Sequence, residues 1–246
     1  MVDGLTELLC LQDSYLQQCN STVLEVLPGN KLVLDKTVFY PQGGGQPFDT
    51  GKLFLEKGGQ KIEFVVTEVR KHDGQVLHTV DKEGLQAGSQ VSCAIDWQRR
   101  YALMRMHTAA HTLGSLMYKQ GWLITGNQLG VEESRFDFSM EEFDRQKFEE
   151  TVARANSELA KNIGLKVYEL PREEAFKNPE VVKLAGALPP SIPVLRIVEI
   201  PGVDLQADGG THVRNTSEVG KIAITKLENK GAKNKRVYFK LETPIP

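Results

Sequence analysis

DWQRRYALMRMHTAAHTLGSLMYKQ, residues 96–120, is where the character of the chain changes. Before it, short apolar segments alternate with turn residues; within it, apolar residues fall at helical spacing. Leu103, Met106, Ala110, Leu113 and Met117 recur three and four apart and form one stripe of a helix running to about Gln120. Asp96 is suited to cap its first turn. His107 and His111 lie beside the stripe and are expected partly buried at its edge. Residues four apart share a helix face, with Cβ atoms about 5–6 Å apart. Two imidazoles so placed can reach one metal ion.

Upstream, the chain reads as all-β. TVLEVL (22–27) and KLVLDKTVF (31–39) flank Pro28-Gly29-Asn30, a hairpin pattern. KLFLE (52–56) and KIEFVVTEV (61–69) flank Gly58-Gly59, and QVLHTV (75–80) and QVSCAI (90–95) continue the run. Short strands with turns this frequent predict a small closed barrel. Downstream, SRFDF (134–138) reads as a strand, and Ser139 with Glu142 forms a capping-box pair opening a helix to about Asn162. GLKVYEL (164–170) is a strand, and PREEAF (171–176) opens a short helix with proline in its first turn. PVLRIVEI, VGKIAITKLEN and KRVYFKLE are closing strands. The expected class is α+β: a β-barrel domain over 1–96, then an α/β sandwich domain over 97–246.

Composition sets the frame. Of 246 residues, 40% are hydrophobic and 25% charged, as in a globular protein with a core. The formal net charge of −2 leaves no bulk attraction to nucleic acid, so such contacts must come from local patches. Two basic clusters exist. Arg99, Arg100 and Arg105 open the His helix, and residues 221–240 carry seven basic residues against Glu228 alone. A charge run is most often a solvated face. Cys10, Cys19 and Cys93 show no CxxC spacing, which supports neither a disulfide framework nor a thiolate zinc site. With no long apolar run and no basic-then-apolar leader, a cytoplasmic protein without a membrane partner is expected.

The chain holds five histidines. A third candidate ligand is His212 in DGGTHVRNTSEVG, four residues after Asp208. Two helical imidazoles, a loop imidazole and a carboxylate make an acceptable tetrahedral zinc set. HTAAH has the spacing of the peptidase motif HExxH but carries Thr108 where that motif has its glutamate base, which argues against peptide hydrolysis.

Four segments in order, FYPQGGGQPFDTG (39–51), HTAAH, SRFDF and GGTHVRNTSEVG (209–220), closely resemble the editing domain of alanyl-tRNA synthetases. They are most similar to its free-standing relatives, the medium-length AlaX group. The resemblance covers roughly residues 20–242. It implies an editing domain of the threonyl/alanyl-tRNA synthetase second-additional-domain type. It also implies one Zn²⁺ at His107, His111, His212 and the position four before His212. That position is commonly cysteine in the family and is Asp208 here, a harder ligand that a water could replace.

By the same resemblance, Gly43, Gly44, Gly45 and Gln46 shape the pocket, with Asp49 a further polar contact. WLITGNQLG (122–130) lines the amino-acid pocket, with Thr125, Asn127 and Gln128 to read a substrate hydroxyl and Thr211 beside them; for each of the three polar residues of the segment a solvated loop position is an equal alternative. Arg99, Arg100, Arg105, Lys230, Lys233, Lys235 and Arg236 are the candidate phosphate contacts.

The implied activity is deacylation of tRNA(Ala) carrying serine, with glycine second, through a water at or beside the zinc. Three roles of the metal stay open: polarising the carbonyl, activating the water, or holding the substrate amino group. Two rivals stand beside this reading: a non-catalytic tRNA-binding module with a structural zinc, and a metal-dependent esterase that needs no RNA.

Overall fold

The structure is a computed structural model that describes residues 6–140, 144–181, 192–231 and 234–244. The chain divides into two compact units, 1–101 and 102–246.

The first unit opens with β1 (Glu7–Leu8), α1 (Leu9–Gln12), β2 (Gln18–Leu27), β3 (Lys31–Leu34) and β4 (Lys36–Thr37). It continues with β5 (Gly51–Lys57), β6 (Gln60–His72), β7 (Gln75–Val80) and β8 (Gln90–Ile95). Six strands close a barrel in the order β2-β3-β7-β6-β5-β8, and β1 pairs with β4. Both expected hairpins are present, at Pro28–Asn30 and Gly58–Gly59. Alternation along each strand sends Val23, Leu32, Leu53, Phe64, Val66, Val69 and Val91 into one core. Closure demands one close approach. Gly51 lies opposite Ile95, and a Cβ there would stand 2.2 Å from the carbonyl oxygen of Ala94.

The barrel also buries charge. Arg100 and Asp49 are both fully buried, and the guanidinium binds both carboxylate oxygens. Its remaining N–H groups donate to the carbonyls of Ser14 at 2.9 Å and Val38 at 2.6 Å. Every polar end is satisfied, which is the condition under which a buried ion pair persists.

Asp96 caps α2 (Trp97–Lys119), accepting from the Arg99 N–H at 3.1 Å. The expected amphipathic stripe is corrected here. From Ala102 to Met117 the helix is buried on every side, His107 and His111 included. Alanine, glycine, threonine and serine on its other faces permit close packing all round. A Cβ on Gly114, for instance, would lie 2.8 Å from Cδ1 of Ile124.

The second unit continues with β9 (Leu123–Gln128), β10 (Ser134–Ser139), α3 (Arg145–Leu159), β11 (Lys166–Pro171) and α4 (Arg172–Ala175). It ends with β12 (Val194–Ile200), β13 (Asp204–Ala207), β14 (Ile222–Asn229) and β15 (Asn234–Leu241). They form a four-stranded sheet, β14-β15-β10-β9, and a three-stranded sheet, β11-β12-β13. The class is α+β, as expected.

Two local readings change. Within segment 122–130, Leu123–Gln128 is an edge strand rather than a solvated loop, because β10 offers it a free hydrogen-bonding edge. The capping box is replaced: Ser139 ends β10, Glu142 lies outside the described residues, and Asp144 caps α3 by accepting from the Lys147 N–H at 2.9 Å. Phe148, Val152, Ala155 and Leu159 make the buried face of α3, and Phe148 stacks with Phe138 and Trp122.

Candidate metal centre

Two elements meet at one point in the second unit. α2 carries His107 and His111 on one face, and the loop after β13 brings Asp208 and His212. One ligand atom from each of the four lies within 4.8 Å of the others. The Nε2 atoms of His107, His111 and His212 stand 3.5, 3.8 and 3.1 Å from the Asp208 carboxylate. The ring centroids are 4.3–4.9 Å apart.

The opposite ring nitrogens are held elsewhere. His111 Nδ1 lies 2.8 Å from Oδ2 of Asp204, and His212 Nδ1 lies 3.1 Å from the Thr108 hydroxyl. A carboxylate at Nδ1 fixes the N–H there and turns the Nε2 lone pair inward, the usual support of a metal-binding imidazole. Asp208 is itself oriented. Its Oδ2 accepts from the Gly210 N–H at 2.6 Å, and Arg196 donates to its backbone carbonyl at 2.9 Å.

Burial sets the charge states. It drives the His107 pKa well below the ordinary histidine value and that of His212 down to about 4, so both are neutral near pH 7. Burial also opposes charge on His111, but its hydrogen bonds to Asp204 and Asp208 outweigh that and raise its pKa to about 9. Burial opposes charge on Asp208 too; the surrounding imidazoles, His107 first, outweigh it and hold its pKa well below the carboxylate range. Three imidazoles and the ionised Asp208 carboxylate thus bring four ligand atoms to one buried point, with His107 and His212 already neutral. The donor set therefore fits a divalent metal ion.

The chain sequence marks all four donors but not their supports. Thr108 reads there only as the missing base, and Asp204 carries no signal. Nothing in the spacing GVDLQADGG identifies Asp204, because β13 and α2 meet only in the tertiary fold.

The other candidates spread out. Thr211 is fully buried next to His212. In the β9–β10 register Asn127 opposes Phe136 and Ile124 opposes Phe138, so Asn127 shares the sheet face that packs under α2. Gln128 opposes Arg135 on the other face, and exposed Thr125, at the β-bulge, reaches the Asn234 side chain at 3.5 Å. Gly43 and Gln46 exchange backbone hydrogen bonds of 3.1 and 2.9 Å, closing a tight turn around Gly44 and Gly45 in the first unit. Asp49 is corrected from a substrate contact to the buried partner of Arg100.

The basic candidates are corrected in part. Arg100 is wholly used inside the barrel. Arg105 is 2% exposed and donates to the carbonyls of Glu218, Val219 and Thr243, each at 2.8 Å. Lys235 is buried, its amine held by Asn229 and Gly231. These three groups cap internal carbonyls or carboxylates instead of meeting phosphate. Arg99 donates to the Phe48 carbonyl at 3.2 and 3.1 Å, and half-buried Arg236 makes a two-pronged pair with Asp137. Lys230 is exposed and paired with Glu228 at 2.7 Å. Lys233 lies outside the described residues.

Known proteins share this arrangement of sequence. Residues 12–99 match the family model of tRNA synthetases class II (A), and residues 195–238 match that of the threonyl and alanyl tRNA synthetase second additional domain. An alanyl-tRNA editing protein AlaX-M of Saccharolobus solfataricus is 48% identical over 96% of this chain and 98% of its own length. That of Methanosarcina barkeri is 47% identical over 96% of this chain and 99% of its own. An alanine–tRNA ligase of Korarchaeum cryptofilum is 39% identical over 89% of this chain but only 24% of the ligase. Identity at that level, running almost end to end with the free-standing proteins and with only a part of the ligase, means that the chain belongs to the alanyl-tRNA editing protein family.

Proposed function

We propose that the protein is an aminoacyl-tRNA deacylase that hydrolyses the ester of mischarged tRNA(Ala), serine first and glycine second. We propose further that Zn²⁺ is the metal, that 97–246 is the deacylase domain and 1–96 its glycine-motif barrel, and that it works in the cytoplasm. The carrying observation is the convergence of three imidazole Nε2 atoms on the Asp208 carboxylate in a chain of this family. Among the described residues no helix is long and apolar enough to cross a membrane.

The chain's own groups have defined work. Asp204 and Thr108 orient His111 and His212, so the ring nitrogens need no reorganisation. Burial excludes bulk water and keeps His107 and His212 neutral. Zinc, when bound, polarises a carbonyl or lowers the pKa of a water. An aminoacyl ester is already activated, so modest catalysis suffices.

Selectivity against alanine follows from desolvation. A polar group that bonds the serine hydroxyl is left unpaired by alanine, at about 1–3 kcal/mol. A synthetase pocket choosing by size alone gains only about 1–3 kcal/mol, which is why a second site is useful. Asn127 ranks first for this contact, since it shares the face of β9 that packs under α2.

A second reading, a structural zinc in a non-catalytic tRNA-binding module, is favoured by one observation: four protein donors suffice to close a tetrahedral site. One assay separates the two. Serine-, glycine- and alanine-charged tRNA(Ala) are incubated with the protein before and after chelation, with metal content measured in parallel. Loss of serine release on chelation, with the fold retained, supports the deacylase. Metal at one equivalent without release supports the structural reading.

A further inference from the structure

Cys19 and Cys93 lie far apart in sequence but directly opposite one another on β2 and β8. These are the first and last strands of the barrel, and their pairing is the seam that closes it. Opposed residues of an antiparallel pair have Cα atoms about 4.5–5.5 Å apart. That range lies within the about 4.4–6.8 Å that a disulfide spans. Both sulfurs also point to one place. The Ser21 hydroxyl oxygen lies 3.3 Å from Sγ of Cys19 and 3.4 Å from Sγ of Cys93, while its own proton goes to the Lys36 carbonyl at 2.7 Å.

The two thiols differ in access. Cys93 is 1% exposed within the barrel core, whereas Cys19 is half-buried. They differ in charge as well. The contact with Cys93, with further help from the Val38 backbone and Lys36, lowers the Cys19 pKa to about 6 against the opposing effect of burial. The same contact pushes Cys93 upward. The pair is thus one half-buried thiol of lowered pKa directly opposite one fully buried thiol, the arrangement of an attacking and a resolving cysteine.

We propose that Cys19 and Cys93 are a reversible oxidation site, at which a peroxide converts the pair into a cross-strand disulfide fastening the barrel's first strand to its last. The Cys19 thiolate attacks one peroxide oxygen, the O–O bond breaks, and the departing hydroxide takes a proton to leave as water. Cys19 is then a sulfenic acid. The Cys93 sulfur attacks that sulfur, the S–O bond breaks, and the hydroxyl leaves as water with the Cys93 proton. Two thiols are oxidised, one peroxide is reduced to two waters, and a dithiol reductant reverses the change. The ring so closed takes in nearly the whole barrel, so oxidation restricts the unfolded chain and stabilises this unit. Cys10 is fully buried, with its thiol toward the Phe39 carbonyl, and takes no part.

The test uses the full chain. It is treated with hydrogen peroxide, alkylated under denaturing conditions and mapped by mass spectrometry without reduction. The expected product is a peptide linked through Cys19 and Cys93, with the three free thiols reduced to one and restored by dithiothreitol. The melting temperature should rise by at least about 5 °C on oxidation. Cys19→Ser, at a half-exposed position that tolerates the change, should keep the fold and show neither link nor rise. Cys93→Ser should leave a Cys19 sulfenic acid that a dimedone probe traps. Sulfinic or sulfonic acid on Cys19 with Cys93 still free, a link between two chains instead of within one, or no reaction of either thiol each overturns the proposal.

Discussion

At His111, the hydrogen bond from Nδ1 to Asp204 both holds the ring and fixes which nitrogen faces the centre. Asp204→Ala removes that acceptor from a fully buried ring. Affinity for the proposed zinc should fall about 10–100-fold, as is usual when such a support is removed. Competition with a chromophoric chelator measures it, and an unchanged affinity would show that Asp204 does not support the centre. Asn127→Leu tests the proposed serine contact. Release of serine should slow about 10-fold or more, since a hydrogen bond to a buried hydroxyl is worth about 1.5 kcal/mol, while release of glycine changes little. Equal slowing of both esters would remove Asn127 from that role. Arg100 belongs to the same scale for a different reason. Arg100→Ala strands a buried Asp49 carboxylate and should cost about 3–5 kcal/mol, read from urea denaturation. A loss within experimental error would mean that the pair contributes nothing beyond its replacement by water.

Among the elements, the barrel carries its own pH dependence. His78 on β7 is fully buried, its ring bonded to the Thr37 hydroxyl at 2.9 Å. Burial lowers its pKa to about 4 from the ordinary 6.5. Between those values the unfolded chain binds a proton that the folded barrel excludes. The contribution of a neutral His78 is therefore fully present above pH 6.5 and is lost as pH falls toward 4. The linked loss is of the order of 3 kcal/mol. His78→Gln keeps an amide in place of the ring but does not titrate. Its unfolding free energy should decline less steeply than wild type over that window, and parallel declines would exclude His78 as the cause. The strands themselves are legible from alternation and turn residues. The burial of α2 is not, since small residues on its polar-looking faces leave no periodic signal of what packs there. β9 escapes for a related reason: an edge strand of mixed polarity resembles a loop until its partner strand is known.

At the scale of the whole molecule, a chain of net charge −2 must hold a polyanion through local groups. Among the described residues, exposed lysines of the last hairpin such as Lys226, Lys230 and Lys240 are available for that task, whereas Arg100, Arg105 and Lys235 are buried. Lys226 and Lys230 share Glu228, so part of their charge is neutralised at home. Replacing Lys226, Lys230 and Lys240 by alanine should weaken tRNA binding. It should also reduce the slope of log affinity against log salt by about 0.7–0.9 for each phosphate that is no longer neutralised. Binding measured by fluorescence anisotropy at several salt concentrations reports both. An unchanged slope would place the RNA on another face.

The sequence by itself determined the four candidate metal ligands, the barrel strands and the helix that carries two imidazoles. Those depend on local periodicity, on turn chemistry and on four ordered segments. The tertiary structure alone decided that Asp204 and Thr108 back two of those imidazoles and that Asn127 shares the face under α2. It alone decided that three of the basic candidates are spent on internal acceptors, and that Cys19 meets Cys93. Each of these is a pairing between residues distant along the chain, set by strand register and by the approach of packed elements. A linear pattern shows which groups exist and how they repeat. Which partner satisfies a buried charge is settled only when desolvation forces each polar group to find one.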